Sequence, residues 1–360
     1  MRIVLAVHGT NRWLGVNKYF YLLGKHLARL GVDVEIIVDS PEGVRAVREV
    51  CGHSVYIACL GPVATGIVAT VRYCRNLARH LARQSNFDIL HCGHVLPFFY
   101  LQELRRRPVV FQPFGNELFT LAGRGLNKWY CLMAQPVLRY CAEHSDILLS
   151  EGQFQHPEMR MYYPRMQQLR VLPVGVEVDE AAVQRDYTVN GDFQFLAVNS
   201  LLPYEGIDAL ISAFRKMYNL AHASLMIVGS GSEEDQLRRL AIGLPIRFRK
   251  DVPEADLLAL YRGADAFVCT THETDFQMGV LEAMVAGLPV LCRDETWVPR
   301  GVMTFRRDGL DLADKMAAMA VDSACNRRQV GEKGLEEVRQ YSFAEIAAKA
   351  LAIYSEVVAR

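Results

Sequence analysis

The stretch from His272 to Pro289, HETDFQMGVLEAMVAGLP, decides how the second half of the chain folds. Just before it, residues 265–271 (DAFVCTT) are apolar and β-branched enough to form a buried strand. A helix is predicted to begin near Met278 and to end at Gly287, because a glycine followed by a proline is a common helix stop. The pattern therefore predicts a strand, a short loop and a helix, which is the repeating unit of a parallel α/β sheet.

This strand, loop and helix have the chemistry of an anion site. A helix amino terminus presents free N–H groups and the positive end of a dipole, so the backbone of residues 277–279 is predicted to bind a phosphate. Glu282 is expected in the first helical turn, where it could accept hydrogen bonds from a ribose, and Glu273 could hold sugar hydroxyls. The alternative is that Glu282 only complements the helix dipole and that Glu273 is solvated.

The composition indicates two α/β domains and argues against nucleic-acid binding. The chain has 360 residues, 51% of them apolar, and a net charge of zero. No apolar run is long enough to cross a membrane, and residues 1–7 (MRIVLAV) are predicted to form a strand and not a signal peptide. Nine cysteines without metal-ligand spacing suit reduced thiols in the cytoplasm. We therefore predict no metal site and no cofactor.

Basic side chains raise the question of a membrane contact. Residues 65–84 have a helical pattern with one basic face, and residues 105–107 are a second basic cluster. One interpretation is a surface for an anionic membrane or a phosphorylated acceptor. The other is a solvated helix face, which the neutral total charge favours. We predict a cytoplasmic protein and leave peripheral association with the inner face of a membrane open. The basic residues of the helical face are Arg72, Arg75, Arg79, His80 and Arg83.

The segment from Asp256 to Pro289 resembles family 4 of the GT-B glycosyltransferases. Leu281–Met284 (LEAM) and Ala286–Val290 (AGLPV) match the family's motif closely. In that family two glutamates separated by seven residues flank a Gly-Phe-Gly turn. Here Glu273 lies one residue too far from Glu282, and Thr274 occupies the first acidic position.

The resemblance covers nearly the whole chain and implies an α/β GT-B fold, with two Rossmann-like domains whose parallel sheets face each other across a cleft. We expect an acceptor-side domain over residues 1–176, a linker over 177–191, a donor-binding domain over 192–341 and a last helix over 342–360 that crosses back. The implied reaction is retaining and metal-independent. It moves a sugar from a nucleotide-activated donor to a glycan, lipid-linked glycan or small-molecule acceptor.

The site residues follow from the resemblance together with the strand ends. Glu273 would contact the transferred sugar, and His94 and Glu117 are candidates for acceptor contact or proton transfer. Phe114 stands where the family often has a histidine. Gly15 remains from a glycine pair after the first strand, and a turn-forming glycine is the alternative reading. The predicted donor contacts are Gly15, Gly229, Phe276, Gln277, Met278, Gly279, Glu282 and Arg293.

The sequence departs from the family at Ser200–Gly206 (SLLPYEG), where an Arg and a Lys usually neutralise the donor diphosphate. Ser200 replaces the Arg and Glu205 replaces the Lys. Other cations could substitute, the donor could be unusual, or catalysis could be lost. The alternatives to an active transferase are therefore a non-catalytic GT-B-like binding or scaffold protein and an epimerase of nucleotide sugars. The candidate substitute cations are Arg249, Lys250 and Arg293.

Overall fold

The chain divides into two compact units. The first unit comprises Met1–Gly175 and Phe343–Arg360, and the second comprises Val176–Ser342. The last helix of the chain thus belongs to the first unit. The computed structural model describes residues 1–7, 16–61, 67–84, 86–93, 98–103, 107–114, 128–178, 185–189, 191–218, 221–271, 277–294 and 298–359.

The first unit is built on a parallel sheet. Among its described residues the sheet has seven strands, in the order β3-β2-β1-β4-β5-β6-β7. The strands are β1 (Arg2–Ala6), β2 (Asp33–Val38), β3 (Tyr56–Cys59), β4 (Ile89–Cys92), β5 (Val109–Phe111), β6 (Ile147–Ser150) and β7 (Leu169–Val171). The helices described in this unit are α1 (Val16–Arg29), α2 (Pro41–Cys51), α3 (Ile67–Arg83), α4 (Phe98–Glu103), α5 (Lys128–His144), α6 (His156–Tyr162) and the C-terminal helix (Phe343–Val358).

The second unit repeats this architecture. Its described strands are β8 (Phe193–Val198), β9 (Ala223–Val228), β10 (Ile246–Arg249), β11 (Ala266–Cys269), β12 (Val290–Arg293) and β13 (Met303–Phe305). They pair in parallel in the order β10-β9-β8-β11-β12-β13. The described helices are α7 (Ile207–Tyr218), α8 (Glu234–Leu240), α9 (Glu254–Gly263), α10 (Met278–Val285), α11 (Leu312–Val321) and α12 (Ala324–Val338), so the C-terminal helix is α13.

Each sheet packs an apolar core because its central strands are buried on both faces. In the first unit, Phe87, Leu77 and Leu90 belong to a cluster that includes side chains of α3 and β4. In the second unit, Phe195 and Phe214 are fully buried in the core between β8 and α7. The near-continuous apolar runs of the strands are the sequence cause of this layering.

The strand order fixes where a ligand can bind. In both sheets successive strands are added first on one side of the unit's first strand and then on its other side, which creates a switch point in the strand order. Open α/β sheets bind ligands outside the carboxyl ends of the strands at such a switch point. In the second unit the switch lies between β8 and β11, whose register pairs Phe195 with Ala266 and Leu196 with Phe267. The residues that follow β8 and β11 are therefore neighbours at the expected ligand edge.

The structure adds elements that the sequence pattern did not indicate. Helix α2 begins at Pro41, and the Ser40 hydroxyl accepts a hydrogen bond from the Gly43 N–H at 2.9 Å, which is a helix N-cap. Strand β3 lies at the edge of the sheet, with an exposed Tyr56 and an exposed Cys59. Within the described residues, no helix is long and apolar enough to cross a bilayer.

Residues 185–189, within the predicted linker over 177–191, pack on the rest of the second unit. The Tyr187 hydroxyl donates to the Gly287 carbonyl at 2.8 Å, and the Arg185 guanidinium donates to the carbonyls of Tyr261 and Arg262 at 3.3 Å. The last carbonyls of a helix have no partner within the helix, which is why a guanidinium beside the end of α9 is favourable.

Candidate functional site

The amino end of α10 meets the end of β8. Gln277 is the N-cap residue, and its side chain makes no capping hydrogen bond. A Cβ added at Gly279 would lie 3.2 Å from the Val198 carbonyl oxygen, so the glycine lets the helix approach the strand closely. The first N–H groups of α10 therefore lie beside the switch point between β8 and β11. This is the arrangement that the sequence predicted for a phosphate site.

The carboxyl end of α10 confirms the predicted stop. Gly287 has a φ of +67°, in the left-handed region that glycine adopts without strain. The Leu288 N–H donates to the Ala283 carbonyl and the Gly287 N–H to the Met284 carbonyl, at 3.0 and 2.9 Å. These two bonds form a Schellman motif, which fixes where the helix ends.

Glu282 lies in the second turn of α10, not in the first, because the helix begins at Met278. The prediction that Glu282 lies in the first helical turn was therefore wrong. Its Oε2 accepts a hydrogen bond of 3.0 Å from the Tyr261 hydroxyl. Burial, with the nearby Glu282 charge, raises the pKa of Tyr261 well above its usual value, so the phenol stays protonated and donates. Sequence reasoning missed Tyr261 as a site residue, although it lies within the segment that carries the family resemblance.

Glu205 does not project into the site as an unpartnered anion. Its side chain is 6% exposed, and both carboxylate oxygens accept hydrogen bonds. Oε1 accepts from the Ser200 hydroxyl at 2.6 Å, and Oε2 accepts from the Asn199 amide and the Thr271 hydroxyl, each at 2.7 Å. The Thr270 hydroxyl donates to the Glu205 backbone carbonyl at 2.9 Å. The carboxylate thus joins the residues after β8 to the residues after β11.

The glycine turn after β9, residues 229–231, packs against residues 199–201, which follow β8. Gly229 has a φ of +150°, and a Cβ added there would lie 1.8 Å from the Asn199 carbonyl oxygen. A Cβ at Gly231 would lie 2.2 Å from the Leu201 carbonyl oxygen. The Leu201 N–H also donates to the Ser230 carbonyl at 3.0 Å. Close backbone packing therefore gives a structural reason for both glycines, and the donor contact of Gly229 stays a prediction.

The candidate cations lie at or just after the ends of strands in the sheet of the second unit. Arg293 is the last residue of β12 and is half-buried. Arg249 ends β10 and forms an ion pair of 3.7 Å with Asp256, and Lys250 is exposed. Since all the strands are parallel, these residues lie at the carboxyl edge that also carries the amino end of α10. Within the described residues, no group of three potential metal ligands comes together.

Several predicted site residues lie outside the described residues. These are Gly15, His94, Glu117, Glu273 and Phe276. Of the first-unit residues that can be located, Phe114 is buried and packs edge-on against Tyr19 and Phe20.

His91 is a core residue of the first unit. Its Nδ1 lies 2.6 Å from the hydroxyl of Tyr354 on α13, and its side chain is fully buried. Burial lowers the pKa of His91 to about 3, so the imidazole is neutral near pH 7. The hydrogen bond between His91 and Tyr354 therefore connects β4 to α13.

Two parallel α/β sheets, one in each unit, are the architecture of the GT-B fold. Residues 15–175 match the model of the glycosyl transferase 4-like domain, and residues 180–323 match that of the glycosyl transferases group 1. The chain belongs to the group 1 glycosyltransferases, a family of enzymes, and has their GT-B fold.

Individual relatives are distant. A phosphatidyl-myo-inositol mannosyltransferase of Mycobacterium leprae is 32% identical over 167 residues, which are 43% of this chain and 44% of the relative. The chain therefore matches less than half the length of that relative. A D-inositol 3-phosphate glycosyltransferase of Kribbella flavida is 24% identical over an alignment of 399 positions, covering 96% of this chain and 91% of the relative. The structure of a Staphylococcus aureus TarM variant superposes with a TM-score of 0.78 at 11% identity, covering 98% of this chain and 99% of that one.

Proposed function

We propose that this glycosyltransferase moves a sugar from a nucleotide-activated donor to a hydroxyl of its acceptor, with retention of configuration and without a bound metal. The observation that carries the proposal is the amino end of α10 at the switch point, with Glu282 one turn further along the helix. The backbone N–H groups of Gln277 to Gly279 would bind the diphosphate. The Glu282 carboxylate, oriented by the Tyr261 hydroxyl, would accept hydrogen bonds from the ribose.

The chemistry follows from this placement. The acceptor oxygen bonds to the anomeric carbon, the bond from that carbon to the phosphate oxygen breaks, and the acceptor proton passes to the departing phosphate oxygen. The protein orients the two reactants and stabilises the charge that develops on the phosphate. Backbone amides and a helix dipole act on this charge without a metal ion. Glu273, His94 and Glu117 remain proposed contacts of the transferred sugar and the acceptor.

The acceptor is proposed to be a glycan, a lipid-linked glycan or a small polyol. The names of two relatives mention inositol, as its phosphate or as phosphatidyl-myo-inositol, and the TarM variant was crystallised with UDP and a GlcNAc-glycerol. Peripheral membrane contact is proposed on the face of α3, where Arg72, Arg75, Arg79 and Arg83 are all exposed.

The test is incubation with a panel of nucleotide sugars, with and without acceptors, in the presence of a chelator. We expect slow donor hydrolysis by the wild-type protein with one donor class. In Glu282→Ala the kcat/KM should fall by about a hundredfold or more, because both ribose contacts are lost. Glu282→Gln keeps an acceptor for Tyr261 and should lose less. Unchanged turnover in Glu282→Ala would contradict the proposed donor site.

A second candidate function is a non-catalytic nucleotide-binding partner. The observation that favours it is the buried Glu205 carboxylate on the loop where the family resemblance predicts two cations. Binding of a nucleotide with a measurable Kd, without turnover of any donor and acceptor pair, would support this function over transfer.

A further inference from the structure

The Glu205 carboxylate shares the switch point with the amino end of α10. Its partners Asn199 and Thr271 follow β8 and β11, which are neighbouring strands. Val198, the residue before Asn199, supplies the carbonyl oxygen that approaches Gly279 of α10. A phosphate bound at the amino end of α10 would therefore lie in the same crevice as this carboxylate.

The hydrogen bonds hold the carboxylate but do not cancel its charge. Its side-chain partners are one amide and two hydroxyls, all of them neutral donors. No ion pair within the described part of the chain includes Glu205. Three donors converging on two oxygens suit an ionised carboxylate, which only accepts. In a partly buried site such a charge acts over several ångströms, because the effective dielectric constant is far below that of water.

Donor and product differ in charge. In a nucleotide sugar the sugar esterifies the terminal phosphate, whereas the free nucleoside diphosphate gains about one negative charge near pH 7.5, since the second pKa of a phosphate monoester is about 6. A fixed negative charge in the crevice therefore repels the product more strongly than the donor.

We propose that Glu205 makes the donor site discriminate between the nucleotide sugar and the nucleoside diphosphate left after transfer, so that the product leaves readily. This inference rests on the proposed donor site. It assigns Glu205 as a specificity-determining residue. The same carboxylate that braces the two loops also supplies the discriminating charge.

The test uses Glu205→Gln in the full chain. A glutamine side chain can still accept from Asn199 and Thr271 and can donate to the Ser200 oxygen, so the bracing is kept while the charge is removed. Calorimetry gives the Kd of the nucleoside diphosphate and of the nucleotide sugar whose base the donor panel identifies. We expect the ratio of product Kd to donor Kd to fall about three- to tenfold in E205Q, with stronger product inhibition. Glu336→Gln, the same charge change on an exposed side chain of α12, should leave the ratio unaltered.

An unchanged ratio in E205Q, or an equal loss of affinity for both ligands, would show that Glu205 only braces the loops. If E205Q does not fold, the wild-type protein gives the answer with the β-methyl ester of the nucleoside diphosphate, which lacks the additional charge. The ester should bind more tightly than the free diphosphate, and equal or weaker binding overturns the inference. If wild-type protein binds none of these ligands, the proposed donor site fails as well.

Discussion

The buried His91 should make the first unit sensitive to acid. Its usual pKa is about 6.5, and burial lowers the pKa to about 3 in the folded protein. Because the pKa of His91 is lower in the folded than in the unfolded protein, His91 is protonated in the unfolded chain but neutral in the folded chain at pH values between the two pKa values. The contribution to stability is therefore complete above pH 6.5 and is lost as the pH falls from 6.5 towards 3.

The size of this loss can be worked out from the two pKa values. Between pH 7 and pH 4 the unfolded chain becomes almost fully protonated at this position while the folded chain stays neutral, which costs about 3 kcal/mol of unfolding free energy. The substitution His91→Phe removes the titrating group. It also leaves the Tyr354 hydroxyl without its 2.6 Å partner, a loss of about 1–3 kcal/mol that does not depend on pH.

The assay is urea unfolding followed by circular dichroism at several pH values between 7 and 4. The stability advantage of the wild-type protein over His91→Phe should shrink by about 3 kcal/mol as the pH falls, because only the wild-type protein carries the titrating group. The double variant with Tyr354→Phe serves as the control, since it removes the constant offset but leaves the pH effect. Parallel curves for the wild-type protein and His91→Phe would refute a depressed pKa and the burial argument behind it.

Three further outcomes follow from the second unit. In Tyr261→Phe the KM for the donor should rise about three- to tenfold with little change in kcat, because Glu282 loses its 3.0 Å hydrogen bond. Steady-state kinetics check this, and an unaltered KM argues against a role of Tyr261 in positioning Glu282. Gly231→Ala should destabilise the protein by more than about 3 kcal/mol, since its Cβ would meet a backbone oxygen at 2.2 Å. The control is Gly263→Ala, where the added Cβ would have no atom within 4 Å, and it should leave the melting temperature nearly unchanged. Truncating the buried Arg327 to Met should cost about 2–3 kcal/mol in denaturant unfolding, because the Tyr187 carbonyl loses a 2.8 Å donor; a change below about 0.5 kcal/mol would contradict this.

Much of the architecture is predictable from short stretches of sequence. The strand predicted over residues 265–271 is observed as Ala266–Cys269, and the helix predicted to begin near Met278 begins at that residue. Apolar runs, helical stripes and glycine stops act over a few residues, so they can be read without knowing the fold. Strand β3 was not predicted, although residues 55–60 (VYIACL) are an apolar run; its exposed position at the edge of the sheet is decided by the strand order.

The candidate site was only partly predictable. The sequence located the amino end of α10 and Glu282, but it placed Glu282 in the wrong turn and did not show what holds the Glu205 carboxylate. In the structure Glu205 has partners just after two strands, Asn199 after β8 and Thr271 after β11, the latter 66 residues away in the chain. That pairing depends on which strand lies beside β8, and no local pattern encodes the order of strands in a sheet.

By itself, the sequence determined the alternation of strands and helices, the division into two α/β halves and the helix terminus that suits a phosphate, since these depend on periodicity and on the conformational preferences of neighbouring residues. Only the tertiary structure decided which side chains satisfy one another: Tyr261 with Glu282, and His91 with Tyr354, 263 residues further on. Such partners are chosen by packing between distant segments. A buried polar group must find a hydrogen bond wherever the fold supplies one.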